Sequence, residues 1–228
     1  MKKVKIQLML GIAFTALFCV FTATVKTVDV KAIGPAGTAV GFARLNEFAF
    51  DLFGENLVFY YITDWLGVAA VAIAFGFAAF GLYLAIKKKS VFKADKDMLL
   101  LGAYYVVIVA VYVLFEKAVI NYRPVLINGF LEASYPSSHT MITVCICSSA
   151  VMQFKARVKN EKLKFAAVFA VSMLAVFTVA GRLISGVHWF TDIVGGLFIS
   201  TGLTALYGAG AGYINLRKTA DSKSDGEN

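Results

Sequence analysis

The chain contains only two histidines, and one of them is spaced to act as a nucleophile. His188 and Asp192 are four residues apart, so on a helix they share a face and Asp192 can accept a hydrogen bond from the imidazole. That bond fixes the tautomer and leaves the other ring nitrogen free to attack. Arg182 precedes His188 by six residues, with Gly186 between them to let the chain turn. A histidine and an aspartate at this spacing also form purely structural hydrogen bonds, so the neighbouring clusters decide the interpretation.

Two further clusters carry groups that suit a phosphate. Arg123 supplies a planar guanidinium that matches phosphate oxygens, and Lys117 lies six residues before it. Ser137 or Ser138 can cap a helix whose N–H groups and positive dipole end attract an anion. His139 follows directly and is placed to protonate a leaving oxygen. Each cluster alone could be a membrane-interface anchor or a helix start, but together they predict a phosphate-binding site with a proton donor.

These clusters lie between apolar stretches that approach membrane-spanning length, about 20 helical residues. Hydrophobic residues make up 59% of the 228 residues, and the mean hydropathy is +0.75. That is more apolar material than one soluble core of this size usually contains. We therefore expect an all-α, polytopic membrane protein with six transmembrane helices in a bundle. The predicted spans are near 8–25, 66–86, 98–115, 140–154, 163–180 and 189–214, in one domain over 1–216, followed by a disordered cytoplasmic tail over 217–228.

The basic residues predict how this bundle is oriented. Sixteen of the 22 Lys and Arg residues fall at the N-terminus, in alternate loops and in the tail. Positive residues collect on the cytoplasmic side, so both termini are predicted to be cytoplasmic. The three clusters then meet at the outer face of the cell membrane, and the active site is extracytoplasmic. The net charge of +8 is explained by topology, so we expect no nucleic-acid partner.

Two segments at the start of the chain allow alternatives. The first apolar stretch, after Lys2, Lys3 and Lys5, could be a signal peptide, although its core is long and its cleavage site poor. Residues 42–52 are apolar at helical spacing, which predicts an amphipathic helix. That helix could lie on the membrane or could simply cap the bundle.

The three clusters together resemble the signature of the type 2 phosphatidic acid phosphatase superfamily. That signature is a lysine followed at a distance by Arg-Pro, then Pro-Ser-Gly-His, then Ser-Arg, five residues, His, three residues and Asp. The last part matches in spacing at Arg182, His188 and Asp192. The resemblance extends from about residue 66 to the sixth predicted span.

The resemblance implies metal-free hydrolysis of a lipid phosphate or pyrophosphate through a phosphohistidine. The substrate would belong to the phosphatidate, phosphatidylglycerol phosphate or polyprenyl pyrophosphate class, so the expected partners are that substrate and membrane lipids. His188 matches the nucleophile, oriented by Asp192, and His139 matches the acid. Residues that match the phosphate cradle are Arg123, Arg182 and Ser137. No cofactor or metal is expected, and the cysteines, Cys19, Cys145 and Cys147, have neither disulfide nor zinc-site spacing.

Three positions depart from the family pattern. The family lysine would stand seven residues before the arginine, where this chain has Glu116, and Lys117 is turned from that position by about 100° on a helix. Ser138 replaces the glycine before His139, and Gly181 replaces the serine before the arginine. We place Lys117 and Ser138 in the phosphate site as predictions.

Two other functions fit the same residues. A phosphotransferase would pass the phosphoryl group from His188 to an acceptor alcohol in place of water. A non-enzymatic membrane protein would only bind an anion with the outer cations. Helices broken at mid-depth or inverted repeats would favour a transporter, and the sequence displays neither.

Overall fold

The computed structural model describes residues 1–89 and 95–224, and this part of the chain forms seven α-helices and no β-strand. The predicted all-α class is therefore confirmed. Their bounds are α1 Lys2–Thr27, α2 Ala43–Phe53, α3 Leu57–Lys87, α4 Lys96–Lys117, α5 Ser138–Arg157, α6 Glu161–Ile184 and α7 Phe190–Ser224.

Five of these helices, α1, α3, α4, α6 and α7, are long and apolar enough to cross a membrane. The fourth predicted span corresponds to α5, which has 20 residues but a polar composition. Thr143, Ser149 and Gln153 of α5 are buried, because α3, α6 and α7 pack around this helix. A helix enclosed by other helices can carry polar side chains that a lipid-facing helix cannot.

Helix α3 begins well before the predicted boundary at residue 66. Its N-cap is Asn56, whose Oδ1 accepts hydrogen bonds from the backbone N–H groups of Val58 at 3.1 Å and Phe59 at 3.2 Å. An asparagine cap stabilises a helix start that hydrophobicity alone does not mark. In consequence Asp64, which the predicted boundary leaves outside the second span, lies on the second turn of α3.

Helix α7 continues to Ser224, into the segment for which the sequence predicted a disordered tail. Lys218 Nζ lies 2.9 Å from Asp95 Oδ1 and 3.3 Å from Asp97 Oδ2. Arg157 Nη2 lies 2.9 Å from the other Asp95 oxygen. These ion pairs join the ends of α4, α5 and α7 opposite the three clusters. Residues 225–228 of the predicted tail, and residues 90–94 between the second and third predicted spans, lie outside the described residues.

The predicted amphipathic helix is α2, and the structure anchors it to the start of α7. Asn46 is fully buried and exchanges two hydrogen bonds with Thr191: Nδ2 to Oγ1 at 3.0 Å, and the Thr191 N–H to Oδ1 at 3.1 Å. Phe48 and Leu52 point away from the bundle and are 67% and 65% exposed. One side of α2 thus caps the bundle, and its contact with the membrane stays a prediction.

Candidate active site

The ends of α4, α5, α6 and α7 meet at one end of the bundle and bring the three clusters together. Arg123, in the loop after α4, donates from Nη1 to His188 Nε2 at 3.2 Å and to the Val187 carbonyl at 3.4 Å. The Ser137 N–H donates to the Asp192 carbonyl at 3.0 Å, which joins the start of α5 to the start of α7. Residues far apart in sequence therefore share one site.

A cavity of about 540 Å³ opens at this point. Its acidic, basic and histidine lining residues are Glu116, Arg123, Glu132, His139 and His188. Apolar and aromatic side chains form much of the remaining wall. The volume is large enough for a phosphorylated headgroup with part of its attached chain.

His188 is held with its Nε2 facing Arg123. A guanidinium can only donate hydrogen bonds, so Nε2 must be the unprotonated ring nitrogen and the proton of the neutral ring lies on Nδ1. Nδ1 faces Asp192 Oδ2 at 3.6 Å, slightly beyond hydrogen-bond length. His188 is only 4% exposed. Burial, and then the positive charge of Arg123, lower the pKa of His188 well below 6.5, since both disfavour the imidazolium. The site thus holds a neutral imidazole whose unprotonated nitrogen accepts a hydrogen bond from Arg123.

Asp192 is fixed by groups around both of its oxygens. Its Oδ2 accepts the Trp189 N–H at 2.9 Å, and its Oδ1 accepts from Asn121 Nδ2 at 3.3 Å. The first contact lies at the start of α7, where a carboxylate also interacts favourably with the helix dipole. Asp192 is completely buried, so these donors and the nearby His188 ring offset the free-energy cost of removing its carboxylate from water.

The two serines before His139 have different positions. Ser137 is the N-cap of α5, and its Oγ accepts the Thr140 N–H at 3.4 Å. Ser138 lines the cavity together with His139. The N-terminus of α5 therefore points its positive dipole end towards the cavity, as predicted from the capping sequence.

Arg182 is fully buried on the last turn of α6. Its Nη2 contacts Asp64 Oδ1 on α3, and its guanidinium carbon lies 5.1 Å from the centre of the Tyr60 ring. Its Nε and Nη1 are buried and have no hydrogen-bond partner among the described residues. Arg182 is not among the residues that line the cavity, so its contact with a phosphate stays a prediction.

The structure does not place Lys117 with the other site residues. Lys117 is exposed and is not among the residues that line the cavity, whereas Glu116 is. Adjacent residues of a helix point in directions about 100° apart, so the lysine that is one position late faces elsewhere. The geometry thus does not support Lys117 as a phosphate ligand.

Sequence reasoning missed three polar residues that hold the site: Asp64, Asn121 and Glu132. Asn121 bonds Asp192, and Glu132 Oε2 lies 3.0 Å from Arg123 Nε. A single carboxylate at the edge of an apolar span, such as Asp64, was the one available signal, since ionisable groups at membrane depth are costly. The described residues contain no group of three or more His, Cys, Asp or Glu placed to hold a metal ion.

Gly186 shapes the turn that presents His188. Its φ is +65°, and a Cβ at this position would lie 1.9 Å from the Gly54 carbonyl oxygen. We predict that Gly186→Ala lowers the free energy of unfolding by about 2 kcal/mol or more, because alanine is strained at this positive φ and its Cβ would clash with the Gly54 carbonyl oxygen.

Thermal unfolding of the purified protein in detergent measures this effect. Gly76→Ala is the matched control, because Gly76 lies in α3 and an added Cβ meets nothing within 4 Å. The control should be neutral or slightly stabilised. Equal melting temperatures for the two variants would contradict the prediction.

Comparisons with known proteins agree with this architecture. The sequence profile of the PAP2 superfamily matches residues 114–213, which include all three clusters. No curated protein sequence matches the chain significantly. The fold is similar to the crystal structure of a transmembrane PAP2-type phosphatidylglycerolphosphate phosphatase from Bacillus subtilis. The TM-score is 0.58 at 17% identity, with 94% of this chain and 96% of that chain covered.

The apolar helices and this membrane-embedded neighbour identify a multi-pass membrane protein. Asp64 lies outside the matched segment, whereas the signature residues from Arg123 to Asp192 lie within it. The PAP2 superfamily profile matches residues 114–213, and this match confirms the resemblance predicted from the sequence.

Proposed function

We propose that this protein is a membrane phosphatase that hydrolyses a lipid phosphate or pyrophosphate through a phosphohistidine on His188. The observation that carries the proposal is a buried, neutral imidazole whose lone pair faces Arg123 in a cavity shared with His139. A nucleophile, a cation and a proton donor in one cavity are what phosphoryl transfer through a covalent intermediate needs.

The reaction has two steps. Nε2 of His188 attacks the phosphorus, the bond from phosphorus to the leaving oxygen breaks, and His139 gives that oxygen a proton. Water then attacks the phosphohistidine while His139 takes a proton from it, which releases phosphate and regenerates both histidines. Arg123, Arg182 and the N-terminus of α5 stabilise the charge on the transferred group. Asp192 stabilises the Nδ1–H tautomer throughout.

An apolar groove beside the cavity supports a lipid substrate. A pocket of about 290 Å³ shares Tyr112 and His139 with the cavity and continues along Val71 and Ile142. A second pocket of about 290 Å³ extends it between α3 and α4, past Phe75. A hydrocarbon chain in this groove would leave its phosphorylated end at His139 and His188. Apolar burial of such a chain contributes about 0.8 kcal/mol per methylene.

The proposed topology has six spans, with α5 enclosed as the fourth span, both termini cytoplasmic and the site outside. Single cysteines test it in a Cys19→Ser background. A cysteine at Asn128, in the exposed loop after α4, should react with an impermeant thiol reagent in intact cells. A cysteine at Lys159, exposed between α5 and α6, should not. The reverse pattern would place the site in the cytoplasm.

Phosphate release by the purified protein in EDTA tests the activity. The panel contains phosphatidate, phosphatidylglycerol phosphate and a polyprenyl pyrophosphate, with glycerol 3-phosphate as the soluble control. We expect kcat/KM for at least one lipid to exceed that for the soluble ester by at least about 100-fold, because only lipids fill the groove. Equal values for lipid and soluble esters would contradict a lipid substrate, and a requirement for metal would contradict the metal-free mechanism.

The same assay separates the two alternatives. A phosphotransferase would give a phosphorylated alcohol when an acceptor alcohol is added, at the expense of free phosphate. An anion-binding protein would bind lipid phosphates without releasing phosphate from any of them.

The pH profile should reflect the lowered pKa of His188. The neutral ring is the nucleophile. Because the pKa of His188 lies well below 6.5, the ring stays neutral as the pH falls through 6.5 and becomes protonated only when the pH approaches that lower pKa. We predict that kcat/KM, corrected for ionisation of the substrate, keeps more than about half of its maximum at pH 6. An aryl phosphate is the suitable substrate because its leaving group needs little protonation. A decline centred above pH 6.5 would contradict a buried, neutral His188.

A further inference from the structure

The side chain that joins the two halves of the phosphate site is Asp64. Its Oδ1 lies 3.1 Å from His139 Nε2 and also contacts Arg182 Nη2. A single carboxylate oxygen on α3 therefore contacts both the predicted acid on α5 and a predicted phosphate ligand on α6.

Helix α3 also shapes the space that the His139 ring occupies. Gly67 lies three residues after Asp64, on the same face of α3, and a Cβ at Gly67 would lie 2.7 Å from His139 Cδ2. The ring thus rests against a glycine while the carboxylate holds one of its nitrogens. The other nitrogen, Nδ1, is buried and has no hydrogen-bond partner among the described residues.

We propose that Asp64 is a positioning residue that holds His139 as the proton donor for the leaving group; this rests on the proposed phosphatase function. The carboxylate keeps the Nε2 proton of His139, so the imidazolium gives its other ring proton to the leaving oxygen as the P–O bond breaks. His139 is then neutral and still bound to Asp64, ready to accept a proton from water in the second step. Asp64 stays ionised throughout.

The pairing of His139 with Asp64 resembles the pairing of His188 with Asp192. His188 has the carboxylate of Asp192 near one ring nitrogen, and His139 has the carboxylate of Asp64 near one ring nitrogen. The contact with Arg182 adds a second effect, because it balances a guanidinium that is completely buried. A purely structural role for Asp64 would consist of this second effect alone.

The leaving group separates the two roles experimentally. An alkyl phosphate has a poor leaving group that must be protonated, whereas an aryl phosphate has a good one that needs little help. We expect Asp64→Asn to lower kcat/KM about 100-fold for an alkyl lipid phosphate and less than about 10-fold for an aryl phosphate. His139→Ala should give the same division between the two substrates.

Glu132→Gln is the matched control, because it removes another carboxylate of the cavity, one that pairs with Arg123 and not with a histidine. This variant should change kcat/KM for both substrates by the same factor. An equal loss on both substrates in Asp64→Asn would overturn the proposal and leave Asp64 as a counter-ion of Arg182. The proposal would also be overturned if Glu132→Gln gave as large a difference between the alkyl and aryl phosphates as Asp64→Asn does. The loss would then follow from removing any negative charge from the cavity.

Protein stability and the proposed function are checked separately. A variant that folds poorly loses activity on both substrates together and has a lower melting temperature. Each assay is therefore accompanied by thermal unfolding followed by circular dichroism. If the wild-type protein releases no phosphate from either substrate, the proposed function itself fails. If the wild type is active and His188→Ala is not, the division between substrates tests Asp64 alone.

Discussion

Replacing His188 with alanine is expected to lower kcat by about 10⁴-fold or more, because the variant has no group to accept the phosphoryl. The wild-type protein mixed with a ³²P-labelled substrate and quenched in base should carry label that acid removes, as phosphohistidine does. His188→Ala should carry none. The structure supports this expectation through the unprotonated Nε2 that faces Arg123.

His139→Ala distinguishes the nucleophile from the acid. With an aryl phosphate it should still form the phosphoenzyme, and the label should accumulate because water is no longer deprotonated. A His188→Ala protein that keeps more than about a tenth of wild-type kcat would contradict the mechanism. Label that survives in this variant would place the covalent intermediate elsewhere.

The sequence predicted which residues lie together better than it predicted where the helices begin and end. Arg123, His139, His188 and Asp192 could be found because charge is rare in an apolar chain and each residue lies near the end of a predicted span. Antiparallel helices then bring alternate span ends to one side, so the convergence followed from topology. The topology did not predict the direction of each side chain: Glu116 lines the cavity, whereas the neighbouring Lys117 does not.

The remaining errors have one physical cause, which is that hydropathy does not register local hydrogen bonds. The Asn56 cap extends α3 and thereby puts Asp64 beside His139. Lys218 binds Asp95 and Asp97, and the helix continues where composition predicted disorder. Hydrogen bonds and ion pairs of single side chains therefore determine where α3 begins and how far α7 continues, and hydropathy alone could not predict either.

Asp192→Asn is predicted to lower kcat by about 10²- to 10⁴-fold with little effect on folding. The amide oxygen can still accept the Trp189 N–H, and the amide of Asn121 can turn to accept from the new NH₂ group. The start of α7 is therefore preserved. What is lost is the negative charge beside His188 Nδ1, which stabilises the positive ring that forms as Nε2 bonds to phosphorus.

Asn121→Ala is the matched variant, since it removes a donor to Asp192 and keeps the charge. We expect it to reduce kcat by only about 10-fold, through looser positioning of the carboxylate. Rapid-quench measurement of phosphoenzyme formation compares the two variants directly. If Asp192→Asn kept more than about a third of the wild-type rate, the carboxylate would only hold the start of α7, and the charge beside His188 would have no part in the reaction. If instead the two variants were equally slow, the position of the carboxylate would matter as much as its charge, because the amide variant retains the contacts and the alanine variant retains the charge.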